Sequence, residues 1–294
     1  MTRVAEVPAR VVGGAILVPA RINQTDVEMQ VDTGSTNSMI DESGAVRLGL
    51  PPDPHRRTIV HGVGGQVEAQ NTMVESFEVG GQEWQSLSFA TSHLPIAFHE
   101  AMPVAGILGA DRLSDFDVEL DIPHGRMTLW SVERCAGNFA LRGVPHYRVA
   151  LERRRPDRLV APVEIDGHPV EAQIAWGVEA SIISSPTAAE IGVTPAMLAG
   201  DRSGRIWGSD RNENTFRVHR FAAFRVGGET FHAVHIQVAD LHTQEVGMLL
   251  GADYARSRRI WLSYATNQMF VVPPNLAKRP STGVFGATRM GPGP

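Results

Sequence analysis

The chain has 294 residues, 43% hydrophobic and 20% charged, which excludes wholesale disorder and leaves material for one large globular domain or two ordinary ones. Lys and Arg number 27 against 32 Asp and Glu, and the formal net charge of −5 gives no electrostatic footprint for nucleic acid or an anionic membrane. A single cysteine, Cys135, excludes an intramolecular disulfide and a thiolate zinc cluster.

The N-terminal segment carries Arg3 and Glu6 and no apolar run, so a cytoplasmic location is expected, or a periplasmic or secreted one if a leader has been removed. The apolar stretch at residues 15–20 is broken by Pro19 and is too short for a transmembrane segment. Val27, Met29 and Val31 alternate with Glu28, Gln30 and Asp32, a period of two that predicts a half-buried strand ending in a polar residue. Asp32-Thr33-Gly34-Ser35 then reads as a tight turn. Helical patches are confined to residues 44–50 and 186–192. His61-Gly62-Val63-Gly64-Gly65 predicts a hairpin tip; no Lys-Ser/Thr follows it, so it is not a phosphate-binding loop. Ile107-Leu108-Gly109-Ala110-Asp111 and closing strands at residues 116–130 complete the first half. The pattern is all-β, with short strands punctuated by Gly and Pro.

The second half repeats the first. An offset of 143 places Pro19 on Pro162, Ile22 on Ile165, Val27 on Val170, Gln30 on Gln173, Gly34 on Gly177 and Ser38 on Ser181. Ile107 to Asp111 recurs as Leu249-Leu250-Gly251-Ala252-Asp253, and Val79-Gly80-Gly81 as Val226-Gly227-Gly228. Two homologous lobes are expected, at residues 11–130 and 148–272, with a linker at 131–147 and a flexible tail at 273–294. A site would lie in the cleft between them.

The Asp-Thr-Gly-Ser turn, the glycine-rich hairpin tip and the downstream Ile-Leu-Gly-Ala-Asp together resemble the aspartic proteases, nearer the retropepsin-like members. The resemblance covers almost the whole chain and implies a bilobal pepsin-like fold. It implies an aspartic endopeptidase acting on a peptide or protein substrate, with Asp32 as the catalytic carboxylate. Thr33, Gly34 and Ser35 would support it, and His61, Gly62, Val63, Gly64 and Gly65 would form a flap. No cofactor is implied, because water is the nucleophile and two carboxylates, one from each lobe, move the protons.

The second lobe departs from that pattern. Ala175 stands where the second Asp belongs and Trp176 where Thr belongs, before the retained Gly177. Glu179, four residues on, is expected to be aimed away from the dyad position. Three readings follow: a homodimer in which each chain supplies Asp32; a non-proteolytic protein holding a peptide or partner in the cleft, with Trp176 offering apolar contact; or a hydrolase using Asp32 alone. Asp111 and Asp253, being duplicated, are expected to share a structural task such as capping a helix. Trp176 is expected to pack in the core more than to face a ligand. His232 and His235 fall three apart on a strand and would point to opposite faces, so with His242 they form no metal site. Cys135 is expected to be an inert linker thiol.

Overall fold

The computed structural model describes residues 1–94, 103–131, 141, 143–154, 157–210, 212–241 and 246–274. Cys135, His242, most of the linker and nearly all of the tail lie outside the described residues.

Each lobe is one eight-stranded sheet, and the strand order is the same in both. In the first it runs Arg10–Val12, Ala15–Ile22, Thr25–Val31, Val104–Leu108, Met39–Asp41, Gln82–Ser92, Gly65–Val79, Pro52–Gly62. In the second it runs Glu152–Arg154, Arg158–Ile165, His168–Ile174, Met248–Leu250, Ile182–Ser184, Glu229–Ala239, Glu213–Val226, Arg202–Trp207. Two pairs in each sheet are parallel, Thr25–Val31 with Val104–Leu108 and Met39–Asp41 with Gln82–Ser92 in the first. Strands paired in parallel on the inside of a sheet are buried on both faces and read as continuous apolar runs. Met29 and Val31 on one such strand, and Ala105 and Leu108 on its parallel partner, are accordingly buried.

A third, six-stranded sheet joins the lobes. Asp117–Asp121 and Arg259–Ser263 lie antiparallel at its centre, with Glu119 opposite Trp261. Strand Thr2–Pro8, which precedes the first-lobe boundary expected at residue 11, forms one edge against Arg126–Ser131. Trp130 stacks on Trp261 with ring centroids 5.1 Å apart. Each indole N–H finds a carboxylate, Trp130 on Glu119 at 3.0 Å and Trp261 on Asp117 at 3.0 Å, so the polar edges of these rings are satisfied inside the sheet.

The two helical patches appear slightly earlier than expected, at Glu42–Arg47 and Ser185–Glu190. Their caps set the start: the Asp41 carboxylate accepts from Ser43 N at 3.0 Å and Gly44 N at 3.3 Å, and Ser184 Oγ accepts from Thr187 N at 3.2 Å. Gly49 and Gly192, at φ of 63° and 96°, turn the chain out of the helix in each lobe.

Asp111 and Asp253 do share a structural task, but it is not capping. The residue before each four-residue helix is Gly109 or Gly251, with no side-chain cap. Asp111 Oδ1 instead accepts from Ser38 N and Oγ, both at 2.7 Å, and Asp253 accepts from Ser181 N at 2.9 Å and Oγ at 2.7 Å. Each carboxylate thus pins its helix to the loop that follows the lobe's central turn. The glycine ahead of it is required by close approach, since a Cβ on Gly109 would lie 2.6 Å from the carbonyl carbon of Asn37.

Candidate active site

The central turns of the two lobes meet across the cleft floor. Asp32 follows the buried strand Thr25–Val31, and its N–H donates to Leu108 O at 3.0 Å; Ala175 N makes the matching bond to Leu250 O at 3.0 Å. Thr33 Oγ1 donates to Ile174 O at 2.9 Å and accepts from Trp176 N at 3.2 Å. Only half of a reciprocal clasp can form, because Trp176 has no hydroxyl to return the bond. Gln30 and Gln173 complete the junction symmetrically, Gln30 Nε2 donating to Gly177 O at 2.8 Å and Gln173 Nε2 to Gly34 O at 3.0 Å. Neither glutamine was assigned a role from sequence; the available signal was a polar residue near the end of an apolar strand, duplicated at the repeat offset.

Asp32 Oδ1 accepts from Gly34 N at 2.8 Å and, across the interface, from Gly177 N at 3.0 Å. A Cβ on Gly177 would fall 2.0 Å from Asp32 Cγ, and one on Gly34 would fall 2.8 Å from the Ala175 methyl. Both glycines are therefore needed for the approach of the turns, and Ala175 lies at the position that the repeat pairs with Asp32. Burial raises the pKa of Asp32, and the Gly34, Gly177 and Ser35 amides offset this in part.

That shift has a sign in stability. The folded pKa exceeds the ordinary 3.8, so the folded state holds a proton that the unfolded state releases, and stability from this group falls as pH rises through that window. Asp32→Asn keeps an acceptor for both glycine amides and removes the buried charge. It is expected to melt above the wild type at neutral pH, with the gap closing as pH falls towards 3.8. Melting curves of both proteins across that range check it; a variant that melts lower throughout would contradict it.

Trp176 is not at the cleft. Its side chain is fully buried in the main core, and its indole N–H has no partner among the described residues. It packs in the core as expected, and the alternative of apolar contact with a ligand beside Ala175 is absent, because the ring gains more by leaving water entirely than by lining a wet cleft. Glu179, expected to point away, lines the same cavity as Asp32.

Two hairpins roof the cleft. The flap expected around residues 61–65 joins Pro52–Gly62 to Gly65–Val79, with Val63 and Gly64 at its tip. Val63 is 8% exposed and packs across the cleft on a second-lobe cluster containing Ala175, Phe216 and Leu249. The exposed His61 lines the cavity beside it. A second flap, not recognised in the sequence, joins Arg202–Trp207 to Glu213–Val226. The tips are clasped: Gly64 N donates to Asp210 Oδ2 at 2.6 Å and Asn212 Nδ2 to Gly64 O at 3.2 Å, while Ser92 Oγ, at the end of strand Gln82–Ser92, donates to Ser209 O. Floor and roof enclose a cavity of about 700 Å³.

The Aspartyl protease family matches the chain twice, at residues 18–111 and 161–254, together more than half its length. The chain belongs to this family. Among curated proteins, none matches it in sequence. Among solved structures it is similar to basic 7S globulin from soybean, at 9% identity and a TM-score of 0.50, with 91% of this chain and 94% of the globulin covered. That likeness shows a pepsin-like fold and no more. The two family matches each contain one central turn, Asp32-Thr33-Gly34 in the first and Ala175-Trp176-Gly177 in the second. His232 and His235 share strand Glu229–Ala239, and no group of three metal-ligating side chains occurs among the described residues.

Proposed function

We propose that this member of the aspartyl protease family holds an extended peptide between its lobes and, within one chain, does not run paired-carboxylate hydrolysis. The Ala175 methyl carries this reading. In a two-carboxylate mechanism one group takes a proton from water while the other gives one to the scissile carbonyl, and a methyl can do neither. A positioned general acid is worth about 10²–10⁴ in rate. The remaining parts suit binding: a cavity between lobes, two flaps to close over it, and strand edges able to hydrogen-bond an extended chain.

A homodimer pairing two Asp32 residues would have to displace the second lobe, since Gly177 N already donates to Asp32 Oδ1 and Ala175 lies against Gly34. Slow hydrolysis with Asp32 as sole base is favoured by one observation, the burial that raises its basicity. Cleavage of a peptide library followed by mass spectrometry, from about pH 3 to 8, and binding of the same peptides by fluorescence anisotropy test these readings. Binding with cleavage no faster than in Asp32→Asn is expected. Rapid cleavage that needs Asp32 would overturn the proposal, and a specific activity rising with protein concentration would assign that cleavage to two chains.

A further inference from the structure

The approximate two-fold relation between the lobes is broken by the charges on the cleft walls. The repeat offset pairs Thr36 with Glu179, Gly14 with Asp157 and Ala15 with Arg158. Ala15, Ser35, Arg158 and Glu179 all line the cavity that holds Asp32. At one end, therefore, the second-lobe turn presents a carboxylate against the small residues Gly14 and Ala15. At the other, the first-lobe turn presents neutral Ser35 and Thr36, and Arg158 brings a cation.

The acidic end is built to present its charge. Gly14 sits in the left-handed region at φ +101°, and a Cβ there would lie 3.0 Å from Glu179 Cβ and 3.1 Å from its Cγ. The Glu179 stem consequently lies along the backbone of this first-lobe turn, held between the lobes. Among the described residues no hydrogen bond or ion pair reaches its carboxylate, although Arg256 is near enough to favour the charged form in part; burial outweighs that influence. Glu179 as a residue is exposed, and its carboxylate, set beside small neutral groups with no hydrogen bond of its own among the described residues, favours an incoming cation that can also donate hydrogen bonds. The same cavity is lined by apolar surface for the stem of such a side chain, from Val178 next to Glu179 in the chain and from the 46%-exposed Trp207.

We propose that the space between Glu179 and Gly14 is a subsite for a Lys or Arg side chain of the bound peptide. With Arg158 at the opposite end, the cleft then distinguishes one chain direction from the other. This rests on the peptide-binding reading above.

The test is a fluorescein-labelled library of peptides about ten residues long, in which each position in turn is fixed as Lys, Arg, Gln or Glu, read by anisotropy. Wild type is expected to favour Lys or Arg over Gln at one position by about two- to fivefold, the size of one exposed ion pair. That ratio should fall to about one in Glu179→Gln and turn to favour Glu in Glu179→Lys, with folding of both checked by melting. Peptides that bind wild type without a basic preference at any position, or a preference that persists in Glu179→Gln, would overturn the subsite alone. No binding by any peptide would overturn the peptide-binding reading and the subsite with it.

Discussion

Ala175→Asp is expected to raise peptide-bond hydrolysis by about 10²–10⁴-fold, the contribution of a positioned general acid. The site is otherwise prepared for it. Gly34 N and Gly177 N stand at the junction, one from each lobe, and already direct their hydrogens at a carboxylate oxygen of Asp32. A second carboxylate on the other side of the approximate two-fold axis would meet the same pair of amides. Two like charges so close cannot both ionise readily, so one pKa would be driven up and the activity should show an acidic, bell-shaped pH profile. Val63, which now packs with Ala175, must lift with its flap to admit substrate. Adding Asp32→Asn to Ala175→Asp should return activity to background. A folded Ala175→Asp protein, with an intact melting transition and no gain in cleavage over a broad library, would show that more than the carboxylate has been lost.

Trp176→Ala is expected to lower stability by about 3–5 kcal/mol, the usual cost of emptying a fully buried aromatic site. For a chain of 294 residues that corresponds to a fall in Tm of roughly five to eight degrees, readable by calorimetry. The ring is the largest of the fully buried side chains, and its neighbours cannot follow it without disturbing the second-lobe sheet. Trp176→Thr would restore the missing hydroxyl of the reciprocal clasp and recover about 1 kcal/mol of hydrogen bonding, but it would leave most of the cavity. For that reason Ala175→Asp alone is the better restoration, and the bulk of Trp176 is no obstacle beside the new carboxylate. A change of less than about 1 kcal/mol in Trp176→Ala would contradict the placement of the ring in the core.

The two substitutions have different meanings for the lobe. Under the proposed reading Ala175 withholds a proton-transfer group, while the backbone of the turn stays in register, as the matched bonds of Asp32 N to Leu108 O and Ala175 N to Leu250 O show. Trp176 converts the next position into part of the core. The retained Gly177 serves the junction, where it accommodates Asp32.

The repeat, the all-β character and the position of Asp32 could be read from the sequence because each is written locally. Alternation of apolar residues marks a strand, and glycine marks a place where another backbone comes too close for a Cβ, as Gly34 and Gly109 do. Duplication of such marks at one offset then implies two lobes without any knowledge of how they dock. Helix starts at Asp41 and Ser184 were missed by a residue or more, because a cap is recognised by where its oxygen points and not by its residue type alone.

What the sequence determined by itself was therefore the parts: two copies of one β-rich unit, one carboxylate turn and its altered twin, and a glycine-rich flap. The tertiary structure decided which parts touch. The Gln30 and Gln173 bonds, the Thr33 contact with Ile174, the Val63 seat and the Asp210 clasp all join residues from different lobes, far apart in the chain. Such contacts depend on the rigid docking of two finished lobes, to which no short sequence pattern responds. The directions of Trp176 into the core and Glu179 into the cleft have the same origin, since within one turn the burial available on either side, set by the docked lobes, decides where each side chain goes.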